Sequence, residues 1–219
     1  HFEASSRTLL VDLAELAAFR HEADMGDAHH FVTHTEFSHD GRYVAFLHRW
    51  YKGVRRKTRL IVYDLHEKQM YVSPTTGMVS HYCWNNANGI VAYCRIDDVD
   101  SHVYFYGPAM DRYKRCGYPK LNSDGHHHFV TDKEFVVDTY PDKYRHARIY
   151  KVNVETDEVC LLANVRSYKK FASPTIYKHW SCDLHPRCSS DGKWLCFDSV
   201  FPGERSLCIM RLDDNVGIQ

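Results

Sequence analysis

The sequence predicts an all-β fold of the β-propeller kind, and three observations carry that reading. Four segments line up when a histidine is placed first: 34–41 (HTEFSHDG), 81–89 (HYCWNNANG), 126–133 (HHHFVTDK) and 185–192 (HPRCSSDG). A short β-rich run follows each, and the pattern returns at intervals of roughly 45 to 60 residues, as the blades of a propeller do. Helical periodicity is confined to 13–21.

Taken in order, 7–13 reads as an outer strand and 13–21 as a two-turn connector built on Leu16, Ala17 and Phe19. Each aligned segment then supplies a first strand and a turn. Gly41, Gly89 and Gly192, each after Asp or Asn, provide the positive φ that a two-residue hairpin needs. Second strands are expected at 43–47, 90–94, 134–138 and 194–198, and third strands at 60–65, 103–106, 149–154 and 207–212. Two units show a plain fourth strand, at 70–73 and 159–163. A β-sandwich would alternate in the same way but would not return a histidine to the same place in every unit. The 219 residues therefore read as one propeller domain with four recognisable blades and an extra outer strand, lacking the N-terminal blades of its ring.

Composition narrows the partners. Lys plus Arg equals Asp plus Glu at 28 each, so neither nucleic acid nor a membrane surface is expected as a partner. No apolar run approaches the roughly 18 residues of a transmembrane helix. Of eight cysteines, Cys94, Cys160, Cys196 and Cys208 lie in apolar strand-like runs and read as buried thiols. Sixteen histidines, 15 tyrosines and 4 tryptophans suit contacts with carbohydrate or metal.

The candidate site follows from blade geometry. First strands start at one face of the ring, so His34, His81, His126 and His185 should meet at the channel mouth. His48 ends a second strand and should return beside His34. Cys182 and His185 form a Cys-x-x-His pair, and His126 lies one blade earlier; thiolate and imidazole are the ligands that Zn²⁺ prefers. His81, His128, His179 or water could complete that set, and a buried thiol near an unrelated histidine is the plain alternative. Two loops on the same face are basic and aromatic: Arg49, Trp50 and Tyr51 through Arg55, Arg56, Lys57 and Arg59, and then Tyr140 to His146. Arginine grips carboxylate or sulfate bidentately. An anionic polysaccharide fits such a groove, and solvated charged loops are the alternative.

The stretches 32–50 (VTHTEFSHDGRYVAFLHRW), 78–84 (MVSHYCW), 123–126 (SDGH), 138–142 (DTYPD) and 182–187 (CDLHPR) together resemble the propeller-type polysaccharide lyases, above all the ulvan lyases of families 24 and 25. The likeness runs from about His30 to Leu212, and the oligogalacturonate lyases share the architecture more distantly. It implies a seven-bladed ring, of which this chain carries part. It also implies β-elimination at a uronate in a sulfated polysaccharide, with His34 and His48 matching the paired histidines of proton transfer and carboxylate contact. Tyr104 matches the catalytic tyrosine, with Tyr113 as the alternative, and Lys120 stands where the family has an arginine. Arg49, His81, Lys120 and Arg145 are the expected substrate contacts. The family's structural metal, expected as Zn²⁺, falls on His126, Cys182 and His185.

The leading expectation is thus a secreted or periplasmic lyase of an acidic, sulfated polysaccharide, without a redox cofactor. A noncatalytic propeller that binds glycan or protein through the same face is the second reading. A metal-dependent hydrolase is the third.

Overall fold

Runs in which every residue is apolar, such as Val44, Ala45, Phe46 and Leu47, must bury both faces of their sheet. In the computed structural model, which describes residues 8–173 and 181–212, four antiparallel sheets do this by packing face against face as successive propeller blades. Blade 1 holds β1 (His29–Phe37), β2 (Tyr43–Lys52), β3 (Arg55–Asp64) and β4 (Gln69–Val72). Blade 2 holds β5 (Val79–Trp84), β6 (Ile90–Ile96), β7 (Val99–Phe105) and β8 (Tyr113–Cys116). Blade 3 holds β9 (His127–Thr131), β10 (Glu134–Asp138), β11 (His146–Asn153) and β12 (Val159–Arg166), and blade 4 holds β13 (Arg187–Cys188), β14 (Trp194–Ser199) and β15 (Ser206–Arg211). Within each blade, sequence neighbours pair in order from the inner strand outward.

Three apolar clusters glue the blades. Ala45, Leu47 and Leu60 of blade 1 meet Trp84, Ala92 and Phe105 of blade 2. Val91 and Tyr104 of blade 2 meet Phe135 and Val152 of blade 3, and Val136 and Ile149 meet Leu195 and Phe197 of blade 4. The other face of blade 1 is covered by the helix α1 (Leu13–Ala18), whose Leu16 packs on Val44, Phe46 and Ile61. Asp12 and Glu15 form a reciprocal capping box at its start.

Two expectations need correction. Of the outer strand expected over 7–13, residues 8–12 take no strand pairing and Leu13 opens α1. The first turns of blades 1, 2 and 4 are longer than two residues, while in blade 3 Thr131 pairs with Glu134 across the two-residue turn expected. In blade 1 the Ser38 hydroxyl donates to Asp40 and accepts from the Tyr43 N–H, while Gly41 turns at φ 71°. Blade 4 repeats the device with Ser189, Asp191, Trp194 and Gly192. All eight cysteines are free thiols. Among the described residues, no helix is long and apolar enough to cross a membrane.

Candidate active site: a row of histidines across four blades

Each inner strand enters its blade at the same end, and there the four aligned histidines form a continuous row. The ring centroids of His34 and His81 are 5.9 Å apart, those of His81 and His126 4.3 Å, and those of His126 and His185 3.7 Å. Backbone irregularity aims them. Pairing slips between Thr33 and Glu36 in β1 and between Val79 and Tyr82 in β5, so His34 and His81 sit in bulges, the device that re-aims a strand side chain. His34 and His185 also take left-handed backbone, at φ 57° and 44°.

Carboxylates hold the middle of the row. Asp124 contacts His81 Nδ1 at 3.1 Å and accepts from the Ser80 hydroxyl at 2.6 Å. Asp138, at the end of β10, lies 3.1 Å from His126 Nδ1 and accepts the backbone N–H groups of both His126 and His185. One buried carboxylate thereby locks two blades together. The chain passes so close that a Cβ on Gly125 would meet the Asp138 carbonyl oxygen at 1.9 Å, which is why glycine stands there.

The electrostatics split the row. Burial opposes charge on His126, but the hydrogen bond to Asp138 and the negative charges of Asp138, Asp183 and Asp124 outweigh it, so its pKa is raised. Burial likewise pushes Asp138 up, yet His126 and the two backbone donors hold its carboxyl below the ordinary value. His34 goes the other way, lowered by burial and then by the charge of Arg49. His185 is lowered by burial and by His126. Charge is thus favoured on His126 and disfavoured on the His185 ring in contact with it. Tyr140, 5.9 Å from His126, is held protonated by burial and by the charges of Asp124, Asp183 and Asp138. It borders a cavity of about 270 Å³ that Arg145, Ser167, Cys182 and Asp183 also line.

The other expected site residues fall into four groups. Arg49 is half-buried close enough to depress His34, and Arg145 lines the cavity beside Tyr140 while donating to the Ser167 carbonyl and hydroxyl. His48 does not join His34. It is fully buried on the opposite face of β2, where its ring bonds His30 at 2.9 Å and accepts from Arg59 Nε at 3.1 Å. Tyr104 is buried near the far end of β7, with its hydroxyl bonded to Asn85, and Tyr113 opens β8 at that same far end. Lys120 is exposed in the loop after β8, with no hydrogen bond or ion pair to the row.

The expected zinc set does not assemble. His126 and His185 are neighbours, but Cys182 is buried beside the cavity that Tyr140 and Arg145 line, and Leu184 is buried with it. Among the described residues no three His, Cys, Asp or Glu side chains are grouped to hold an ion, and His179 lies outside those residues. The row's supporting groups, Asp124, Asp138, Tyr140 and Asp183, were visible in the sequence only as members of the SDGH, DTYPD and CDLH stretches.

The fold has relatives of known structure. The chain is similar to TolB from Acinetobacter baumannii (TM-score 0.54, 12% identity), covering 85% of this chain and 42% of that one. It is similar to a putative TolB from Agrobacterium tumefaciens (TM-score 0.56, 13% identity; 85% and 63%) and to an oligogalacturonate lyase in complex with manganese (TM-score 0.50, 12% identity; 86% and 67%). At these identities the likeness is one of fold: this is a β-propeller chain, spanning less than two thirds of both TolB structures. No protein-family model and no curated protein matches the sequence.

Proposed function

We propose that the histidine row is the centre of a polysaccharide lyase that cleaves a uronate-containing chain by β-elimination. The observation that carries this reading is the pairing of unlike imidazoles: His126, whose charged form Asp138 favours, lies in ring contact with His185, whose charged form is disfavoured. Elimination at a uronate needs a cation against the carboxylate, a base for the proton on C5 and an acid for the departing oxygen on C4. His126 and Arg49 supply positive charge. His185 at one end of the row, or His34 at the other, takes the C5 proton as a neutral base. Electrons of that C–H bond form the C4–C5 double bond as the C4–O bond breaks, and the Tyr140 hydroxyl protonates the leaving oxygen. His81, held by Asp124, orients the sugar between the two ends.

The substrate class follows from charge and rings. Arg49, Arg56 and Arg145 favour an acidic glycan, and the sequence likeness to ulvan lyases makes a sulfated polymer of rhamnose and glucuronic or iduronic acid the first to try. A polymer of that size is met outside the cytoplasm, so secretion or the periplasm belongs to the same proposal. The fold it shares with an oligogalacturonate lyase is compatible with this chemistry.

Incubation with ulvan, followed by ultraviolet absorbance of the unsaturated uronate, tests the reading. His126→Ala should abolish the signal. Retention of the glycan with no new double bond in the wild-type protein would replace the lyase by a noncatalytic glycan binder on the same face.

A further inference from the structure

Strands β1, β2 and β3 run on past the blade 2 contact as an arm, and its two faces differ. One face is closed. His30, His48, Trp50, Lys57 and Arg59 lie on it, and the segment between α1 and β1 covers them: Trp50 donates to Asp24 at 3.2 Å, and Lys57 pairs with Asp24 at 2.7 Å. Arg59 donates to the Leu16, Phe19 and Arg20 carbonyls. Much of the basic character of this stretch is therefore already used inside the fold.

The other face is open. Register places Phe31 opposite Arg49, His29 opposite Tyr51, and Tyr51 opposite Arg56, so these five side chains share one surface. The rings lie nearly parallel: Phe31 and Tyr51 are 5.7 Å apart at 11°, and His29 and Phe31 6.0 Å apart at 27°. Tyr51 is 37% exposed. Arg49 Nε is buried and, among the described residues, has no hydrogen-bond partner, an expensive state for a charged group. Arg49 and Arg56 both act on His34, which puts this surface against the first histidine of the row.

We propose that this surface is a binding subsite for an anionic sugar ring one or more residues along the chain from the bond at the histidine row. The parallel aromatic rings take the apolar C–H face of a pyranose, and Arg49 and Arg56 take its carboxylate or sulfate bidentately. The occupant is a charged glycan rather than a protein strand or lipid, because the surface joins closely spaced rings to two arginines and runs into the row without a break. This inference rests on the glycan reading of the row.

The test compares Phe31→Ala/Tyr51→Ala and Arg49→Gln with wild type, with circular dichroism checking the fold and Tyr51→Phe keeping the stacking. Binding is measured by affinity electrophoresis in gels containing ulvan, polygalacturonate or dextran sulfate, and cleavage by the unsaturated product. The aromatic double variant should weaken binding at least tenfold on every glycan the wild type binds, and Tyr51→Phe should bind as wild type. Arg49→Gln should lose more on polygalacturonate if the arginine takes carboxylate, and more on dextran sulfate if it takes sulfate. Unchanged binding in the folded double variant overturns the subsite, whether or not the protein cleaves. Binding lost in that variant from a wild-type protein that makes no unsaturated product keeps the subsite and removes the lyase.

Discussion

Two kinds of histidine live a few residues apart in this chain, and the groups beside them decide what each can do. In the row, His81 and His126 face carboxylates, and His34 and His185 are exposed at its ends. In the interior, His30 donates from Nε2 to the Met25 carbonyl and takes the Nε2 proton of His48, whose Nδ1 accepts from Arg59. His102 repeats the arrangement between blades 2 and 3: it donates to the Ser123 carbonyl and accepts from His127. Those tautomers follow from the hydrogen-bond pattern, and each interior chain closes only with neutral rings. Burial, Arg59 and His30 bring His48 down to about 3, and burial brings His102 down to about 4. The same side chain has a carboxylate partner in the middle of the row and is a structural pin where a carbonyl or a guanidinium faces it.

The largest expected break in this contrast comes from Asp138→Asn. Asp138 accepts the His126 N–H on Oδ1 and the His185 N–H on Oδ2. The amide keeps one acceptor oxygen, so one of those bonds is lost together with the charge that raises His126, and product formation should fall about 100-fold, within the range for general acid–base groups. The remaining activity should shift its optimum to lower pH, where His126 still protonates. An unchanged pH profile would show that His126 does not work as a cation.

Arg59→Met probes the interior set. It leaves three carbonyls and His48 Nδ1 without a donor beneath α1, and should cost about 3 kcal/mol in denaturant unfolding, as loss of a buried polar hub does. Under conditions where the protein stays folded, cleavage should persist. Equal loss of both would merge the two regions.

Acid titration separates them again. His48, His102 and His127 have folded pKa values below the unfolded value, so the unfolded chain binds more protons, and stability falls as pH drops from about 6.5 toward about 4. Each should contribute up to about 1.4 kcal/mol per pH unit across that window. His126 has the opposite sign: its raised pKa stabilises the fold below about 6.5 and that contribution is lost as pH rises through its folded value. His102→Gln should flatten the acid limb measured by thermal melts, and a limb of unchanged slope would count against the buried pair.

The smallest effect is expected of Cys182→Ser. With Cys182 outside the row, cleavage and bound metal by elemental analysis should match wild type, and stability should change by about 1 kcal/mol or less. Loss of a stoichiometric metal in that variant would restore the Cys-x-x-His reading.

Legibility followed periodicity. The four leading histidines could be placed together because the repeat itself puts them at equivalent distances before the first turns, which Gly41, Gly89 and Gly192 mark in three blades. His48 was misplaced because both faces of β2 are apolar: Val44 and Phe46 face α1 while Ala45 and Leu47 face blade 2, so alternation carries no sign of direction. Tyr104 was misplaced because β7 begins at Val99, in a polar stretch where Asp100 pairs with Arg95, and so Tyr104 ends the strand it was expected to start. Phe31 gave no sign in sequence, since its partners Tyr51 and Arg49 reach it only through the β1–β2 register.

By itself the sequence determined the propeller, its blade count over this stretch and the four histidines of the row, because all three repeat, and repetition in sequence becomes equivalence in space. Only the tertiary structure decided which histidines have their charged form favoured, which carboxylates hold them and which face of the arm stays open. Those properties depend on groups from different blades meeting at hydrogen-bond distance, and no spacing along one strand records that.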